Sequence, residues 1–326
     1  MRSARLELAL QGGAWVLPSS GDIAVLRPRA GDDLSALPKS RVVVLTGFKP
    51  DHDHFLSQGY RVEGKGFTAA LVCLPRARAE AHAMLHQAVA LVGVGGSVAV
   101  DGQKTDGFDS ALKDLRAAGV TVGEVLSKAH GKLVSFTAQP LPRDWQPADT
   151  HVDGFVTRPG VFSADGPDRG SVLLAAALPG DLPARVADLG AGWGYLSRAI
   201  LQRPGVKRLD VVEAEAIALD CARINVKDPR AVFHWADATS FRPDRPWSAV
   251  VMNPPFHTQR TADPGLGLAF IRAAHRNLLP DGVLWMVANR HLPYDPILRT
   301  LFRQVEEVGG DGAFRVSRAA YPIRVK

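Results

Sequence analysis

From residue 185 to residue 289, short apolar runs alternate with stretches in which apolar positions recur every three or four residues. The runs are RVADLG (185–190), RLDVVEA (208–214), AVFHWADA (231–238), WSAVVMN (247–253) and VLWMVAN (283–289). Each is long enough for a strand and too short for a helix. Between them, YLSRAILQ (195–202) puts Leu196, Ala199 and Ile200 on one helical face. AIALDCARIN (216–225) does the same for Ile217, Cys221 and Ile224, and LGLAFIRAAHRNLLPDG (266–282) reads as a helix with a turn. Strands alternating with helices predict a parallel sheet covered on both faces.

The first half repeats part of this order. FTAALVCLP (67–75) aligns on WSAVVMNPP (247–255), and GGSVAVDGQK (95–104) echoes DGVLWMVANR (281–290). Under the first alignment Cys73 and Leu74 stand where Asn253 and Pro254 stand. TAQPLPRDWQPADTHVDG (137–154) has three prolines and few apolar residues, and reads as a linker. The fold expected is α/β, with two tandem Rossmann-like domains: residues 1–146 a degenerate copy, and residues 147–326 the intact one. The alternative is that any two α/β domains look this similar.

Composition adds limits. The 326 residues are 46% hydrophobic and 22% charged, as in a soluble globular protein. No apolar run is long enough to span a membrane, and Glu7 and Gln11 interrupt the start, where a signal peptide needs an apolar core. Cys73 and Cys221 match neither a zinc pattern nor a disulfide framework, so a cytoplasmic location is expected. The net charge of +6 is evenly divided: 17 basic and 14 acidic side chains in residues 1–145, 22 and 19 in residues 146–326. That is compatible with a polyanionic partner and equally with a mildly basic enzyme. PDHDHF (50–55) has the residue types of a metal site but reads as a solvated polar loop, and no metal is expected.

Candidate chemistry gathers where the strands end. DLGAGWG (188–194) supplies Gly190, Gly192 and Gly194 between a strand and a helix, where the backbone turns sharply and a ligand can approach it. Glu213 follows Gly194 by 19 residues, the spacing of a carboxylate that takes ribose hydroxyls. Asp237 closes the third strand, placed for an adenine amino group, and Asn253 closes the fourth. The G-A-G-W-G loop departs from G-x-G-x-x-G and favours a ligand without pyrophosphate.

VMNPPFH (251–257) stiffens the chain directly after an amide. Asn253 and Pro254 each precede a proline and are held extended. The turn then presents two acceptors, the Asn253 side-chain oxygen and the Pro254 carbonyl, which suit an –NH2 group. Phe256 offers a face for a planar ring. Such a nitrogen is a poor nucleophile, and hydrogen bonds from both its N–H groups localise its lone pair for attack.

Together, DLGAGWG, Glu213, Asp237 and NPPFH resemble class I S-adenosylmethionine-dependent methyltransferases acting on nitrogen. RPGVFSADGPDRGSVLL (158–174), VMNPPFH, FIRAAHRNLLPDGVLWMVANRHLPY (270–294) and FRVSRA (314–319) are similar to the bacterial small-subunit ribosomal RNA guanine-N2 methyltransferases. That family has two tandem methyltransferase-like domains, the second of which binds cofactor. Ala191 departs from it, since many relatives carry Cys there.

The resemblance implies that S-adenosyl-L-methionine is held by Asp188, Gly190, Gly192, Gly194, Glu213, Asp237, Ala238 and Asn253. Asn253, Pro254 and Phe256 would then be catalytic. The segment with Pro159, Phe162, Ser163 and Asp168 would fold over the cofactor or merely pack the domain. His257 would touch RNA or cap the turn. The expected partner is ribosomal RNA or the small ribosomal subunit, met by a monomer, with an unpaired or flipped target base. Adenine N6 and a protein glutamine amide remain alternative acceptors, because NPPF-like turns serve both. A non-catalytic ribosome-assembly protein is the rival from another class.

Overall fold

A computed structural model describes residues 2–255 and 264–324. The chain divides into two compact units, Met1–Ala148 and Asp149–Lys326.

The first unit holds strands β1 (Asp22–Leu26), β2 (Val42–Leu45), β3 (Phe67–Cys73), β4 (Ser97–Gln103), β5 (Leu126–Lys128) and β6 (Gly131–Thr137). Its helices are α1 (Ser3–Gln11), α2 (Lys49–Ser57), α3 (Arg78–Val92) and α4 (Phe108–Ala117). The sheet order is β2-β1-β3-β4-β6-β5. The first four strands are parallel, and β6 runs antiparallel to both neighbours.

The second unit begins with a small hairpin, β7 (Thr150–Val152) and β8 (Phe155–Thr157). It continues through α5 (Arg169–Ala177), β9 (Arg185–Leu189), α6 (Tyr195–Leu201), β10 (Arg208–Glu213), α7 (Ala216–Asn225), β11 (Ala231–Trp235) and β12 (Trp247–Met252). Then come α8 (Pro264–Asn277), β13 (Leu278–Asn289), α9 (Asp295–Leu301), β14 (Phe302–Gly310) and β15 (Phe314–Pro322). The main sheet order is β11-β10-β9-β12-β13-β15-β14. Without β11, this is the order of the first unit. β3 then corresponds to β12, and β4 to β13, the strands whose sequences echo each other.

Alternation along the central strands builds a core on each side of this sheet. Val186, Val211, Val251 and Val287 face one way, with residues of α5, α6 and α7. Ala187, Val212, Val250 and Met286 face the other, with residues of α8 and α9. Asp210 is buried within β10 and accepts hydrogen bonds from Trp247 Nε1, Arg208 Nη2 and His234 Nε2, each at 2.9 Å. Burial opposes its ionisation, but the bonds from His234, Arg208 and Trp247 outweigh that and hold the carboxyl down at about 2.

Several expectations need revision. PDHDHF is not a loop: residues 50–55 lie on α2, which buries Phe55. The proline-rich stretch is not all linker either, since Trp145 is buried and stacks on His82 at 4.0 Å, and residues 150–152 form β7. α7 buries Ala218, Leu219, Cys221 and Ala222, while Ile217 packs half-buried beside Phe155 and Trp193. On α6, Ser197 and Leu201 join Leu196 and Ile200 in the interior, and Ala199 is only half-buried. β13 starts at Leu278, earlier than expected, and a register shift against β12 takes up the Pro-Asp-Gly residues.

In the first unit, Asp101 within β4 is fully buried. Arg5 Nε donates to it at 2.5 Å and Arg5 Nη2 at 2.9 Å, and Arg2 joins them.

Candidate active site

The loop between β9 and α6 takes its shape from three left-handed residues, Gly190, Gly192 and Gly194, at φ of 71°, 55° and 91°. A side chain would strain each of them. At Gly194 a Cβ would also lie 3.0 Å from Val226 Cγ2, so this glycine admits α7. At Gly192 a Cβ would meet nothing within 4 Å, which leaves the main chain open to an approaching ligand. Trp193 pins the loop from the other side. Its indole is buried, and its Nε1 donates to the Phe162 carbonyl at 2.9 Å.

Two carboxylates sit at this loop, Glu213 half-buried and Asp188 fully buried. Glu213, at the end of β10, accepts from Gly192 N at 2.7 Å and from Glu215 N at 2.8 Å. Burial raises its pKa, against those backbone bonds. Asp188, on β9, accepts from Ser197 Oγ at 2.7 Å, and its Oδ1 is buried with no hydrogen-bond partner among the described residues. Burial, with the nearby Glu213 charge, pushes its pKa up to about 7. A carboxyl that holds its proton more tightly folded than unfolded costs stability as pH rises from about 4 to about 7. Asp188→Asn removes that titration. In the cofactor-free protein the variant should therefore gain about 3 kcal/mol on the wild type between pH 5 and pH 8. Urea unfolding at the two values measures this, and a pH-independent difference would contradict a buried proton on Asp188.

Asp237 follows β11, and its Oδ1 accepts from Thr239 N at 2.8 Å and Thr239 Oγ1 at 2.7 Å, which locks the turn. The adjacent Ala238 is buried. Neither lines the cleft described next.

That cleft lies over the glycine loop. Gly190, Ala191, Gly192, Trp193, Tyr195 and Leu196 form one side, and Phe162, Ser163, Asp168, Ser171 and Asn253 complete it. Phe162 stands at this cleft 63% exposed, while Pro159 is not part of the lining. Pro254 is buried beside Asn253. Phe256 and His257 lie outside the described residues.

Asn253 Nδ2 donates to Asp168 Oδ2 at 2.8 Å and to Ser171 Oγ at 2.9 Å. These bonds, the Trp193 anchor and the Ser197–Asp188 pair were not anticipated from the sequence. One signal was present: Asp168 and Ser171 have the spacing of a helix N-cap, and Asp168 Oδ2 does accept from Ser171 N at 3.0 Å.

The methyltransferase small domain family matches residues 153–318. The chain is 28% identical over 302 residues to the ribosomal RNA small subunit methyltransferase C of Alteromonas mediterranea, covering 87% of this chain and 83% of that protein. It is 31% identical over 267 residues to the protein of the same name from Aeromonas hydrophila, covering 77% and 76%. The fold matches a T. thermophilus 16S rRNA N2-guanine methyltransferase, solved with AdoMet and guanosine, at a TM-score of 0.79 and 22% identity, over 98% of this chain and 91% of that one. Both units are therefore Rossmann-like, and the chain belongs to the ribosomal RNA small subunit methyltransferase C family.

Proposed function

We propose that this protein transfers a methyl group from S-adenosylmethionine to the exocyclic N2 of a guanine in 16S ribosomal RNA. The observation that carries the reading is Asn253. It closes the fourth parallel strand beside the glycine-loop cleft, with both bonds from its amide nitrogen made inside the protein.

The residues fit the cofactor. Gly192 has open space where a side chain would be, and Asp188 keeps a buried oxygen without a partner among the described residues. In this reading Gly190, Gly192, Gly194 and Asp188 surround the methionine part, Glu213 takes the ribose hydroxyls, and Asp237 with the Ala238 backbone takes the adenine. When bound, S-adenosylmethionine supplies an electrophilic methyl group carried on a sulfonium.

The chain's own contribution is acceptance and orientation. Asn253 Oδ1 and the Pro254 carbonyl accept the two N–H groups of the amine. They localise its lone pair and stabilise the positive charge that grows on nitrogen. Holding the base at the cleft removes the orientational cost of a bimolecular encounter.

The first unit serves as a degenerate copy that contacts RNA or supports the second. Cys73 and Leu74 stand in place of Asn253 and Pro254, and Arg2 and Arg5 occupy the buried Asp101. The monomer is the acting unit, and its place is the cytoplasm. No helix among the described residues is long and apolar enough to cross a membrane.

Labelled S-adenosylmethionine, incubated with unmodified small subunits and followed by nucleoside digestion, tests this function. Label in N2-methylguanosine is the expected result. Label in N6-methyladenosine or in protein would overturn the acceptor, and no label despite bound cofactor would make this a binding protein.

A further inference from the structure

The Asn253 amide is gripped by two partners of different chemistry. An amide nitrogen has two hydrogens, and the bonds to Asp168 Oδ2 and Ser171 Oγ use both. A serine hydroxyl donates or accepts by rotating, so Ser171 tolerates either face of the amide. An ionised carboxylate only accepts, so Asp168 rejects the flipped amide, which would set Oδ1 against Oδ2. Asp168 is itself fixed. Its Oδ2 caps α5 through Ser171 N at 3.0 Å, and a Cβ on Gly170 would lie 3.0 Å from that same oxygen. The grip comes from a segment 85 residues away in sequence.

We infer that Asp168 is a positioning residue for methyl transfer: it sets the polarity of the Asn253 amide, so that Oδ1 and not Nδ2 is left to meet the amine. The inference deepens the amine-methylation reading above and rests on it. Charge strengthens the effect. A hydrogen bond to an ionised acceptor polarises the amide and puts more negative charge on Oδ1. Positive charge grows on the attacking nitrogen, so the benefit is larger in the transition state than in the bound substrate. Ser171 contributes geometry without polarity.

The test is Asp168→Asn. It keeps the shape, and Asn caps a helix as well as Asp does. Its carboxamide is neutral: with its oxygen on Ser171 N it orients Asn253 without polarising it, and turned over it gives up both bonds. The expected result is a kcat lower by about 30- to 100-fold, with cofactor Kd changed less than about threefold and Tm nearly unchanged. Ser171→Ala should cost less than about tenfold in kcat. A second readout is independent of turnover: the side-chain amide resonances of Asn253, identified by their loss in Asn253→Ala, should shift in Asp168→Asn.

Wild-type kcat in Asp168→Asn overturns the inference. So does a fall in kcat with Asn253 resonances unmoved, or a parallel fall in kcat and cofactor affinity, which would place Asp168 in cofactor binding. If the wild-type protein makes no N2-methylguanosine, the functional reading fails separately. The resonances then decide whether Asp168 orients the amide, with a shift supporting it and no shift overturning it.

Discussion

Asn253→Ala should lower kcat by about 10³-fold while leaving cofactor affinity within about threefold. The size follows from what the amide does. It offers a fixed acceptor to a nitrogen whose charge changes from near zero to positive, and fixed dipoles aimed at developing charge are among the largest single contributions to catalysis. The affinity is spared because the glycine loop and Glu213, which carry the proposed cofactor contacts, are joined to each other through Gly192 N and not through Asn253. Single-turnover methyl transfer on small subunits, with cofactor binding measured by calorimetry, separates the two effects. Equal losses in both would move Asn253 from the acceptor to the cofactor. Wild-type turnover would remove it from the mechanism.

Asp210→Ala should destabilise the second unit by about 3 kcal/mol at pH 7. The carboxylate is 1% exposed and receives hydrogen bonds from an indole, a guanidinium and an imidazole. Removing it strands Trp247 Nε1 in the core, where an unsatisfied donor costs about 1–3 kcal/mol. Arg208 and His234 are partly exposed and recover some hydration, which keeps the loss near the lower end for a broken buried pair. The pH dependence has a definite sign. The folded carboxyl is depressed to about 2, so its stabilisation is present above its unfolded value near 4 and fades as pH falls towards 2. Wild type and variant should therefore differ at pH 7 and converge in acid. Urea titrations followed by Trp emission read this, and a gap that stays constant down to pH 3 would contradict it.

The sheet could be read from the sequence because its central strands, β9, β10 and β12, are buried on both faces. They show as continuous apolar runs, and each strand expected from the pattern is present to within a few residues. β13 was the hardest to delimit, because Leu278 and Leu279 look equally like the end of a helix. Helix faces were less legible. On α7 two of the four buried residues are alanines, whose burial no periodicity of large residues reveals, while Ile217 turns to the β7–β8 hairpin cluster. For the site, loop glycines and strand-end acids follow from local spacing, which sets Glu213 19 residues after Gly194, but the bond from Gly192 N to Glu213 does not. Nor does the Asp168–Asn253 contact, because it joins positions that only the finished fold brings together.

The order of strands in each sheet also sets a schedule for synthesis. β6 and β15 are the last strands of their units, yet each lies inside its sheet, between β4 and β5 and between β13 and β14. The first unit has all its strands by Thr137, well before β9 begins at Arg185, so it can fold while the ribosome is still translating the second. The second unit has no such freedom. Until Phe314–Pro322 has emerged, β14 lacks the partner it pairs with and β13 presents an open apolar edge. A chain stalled before Phe314 would carry a finished first half and an aggregation-prone second.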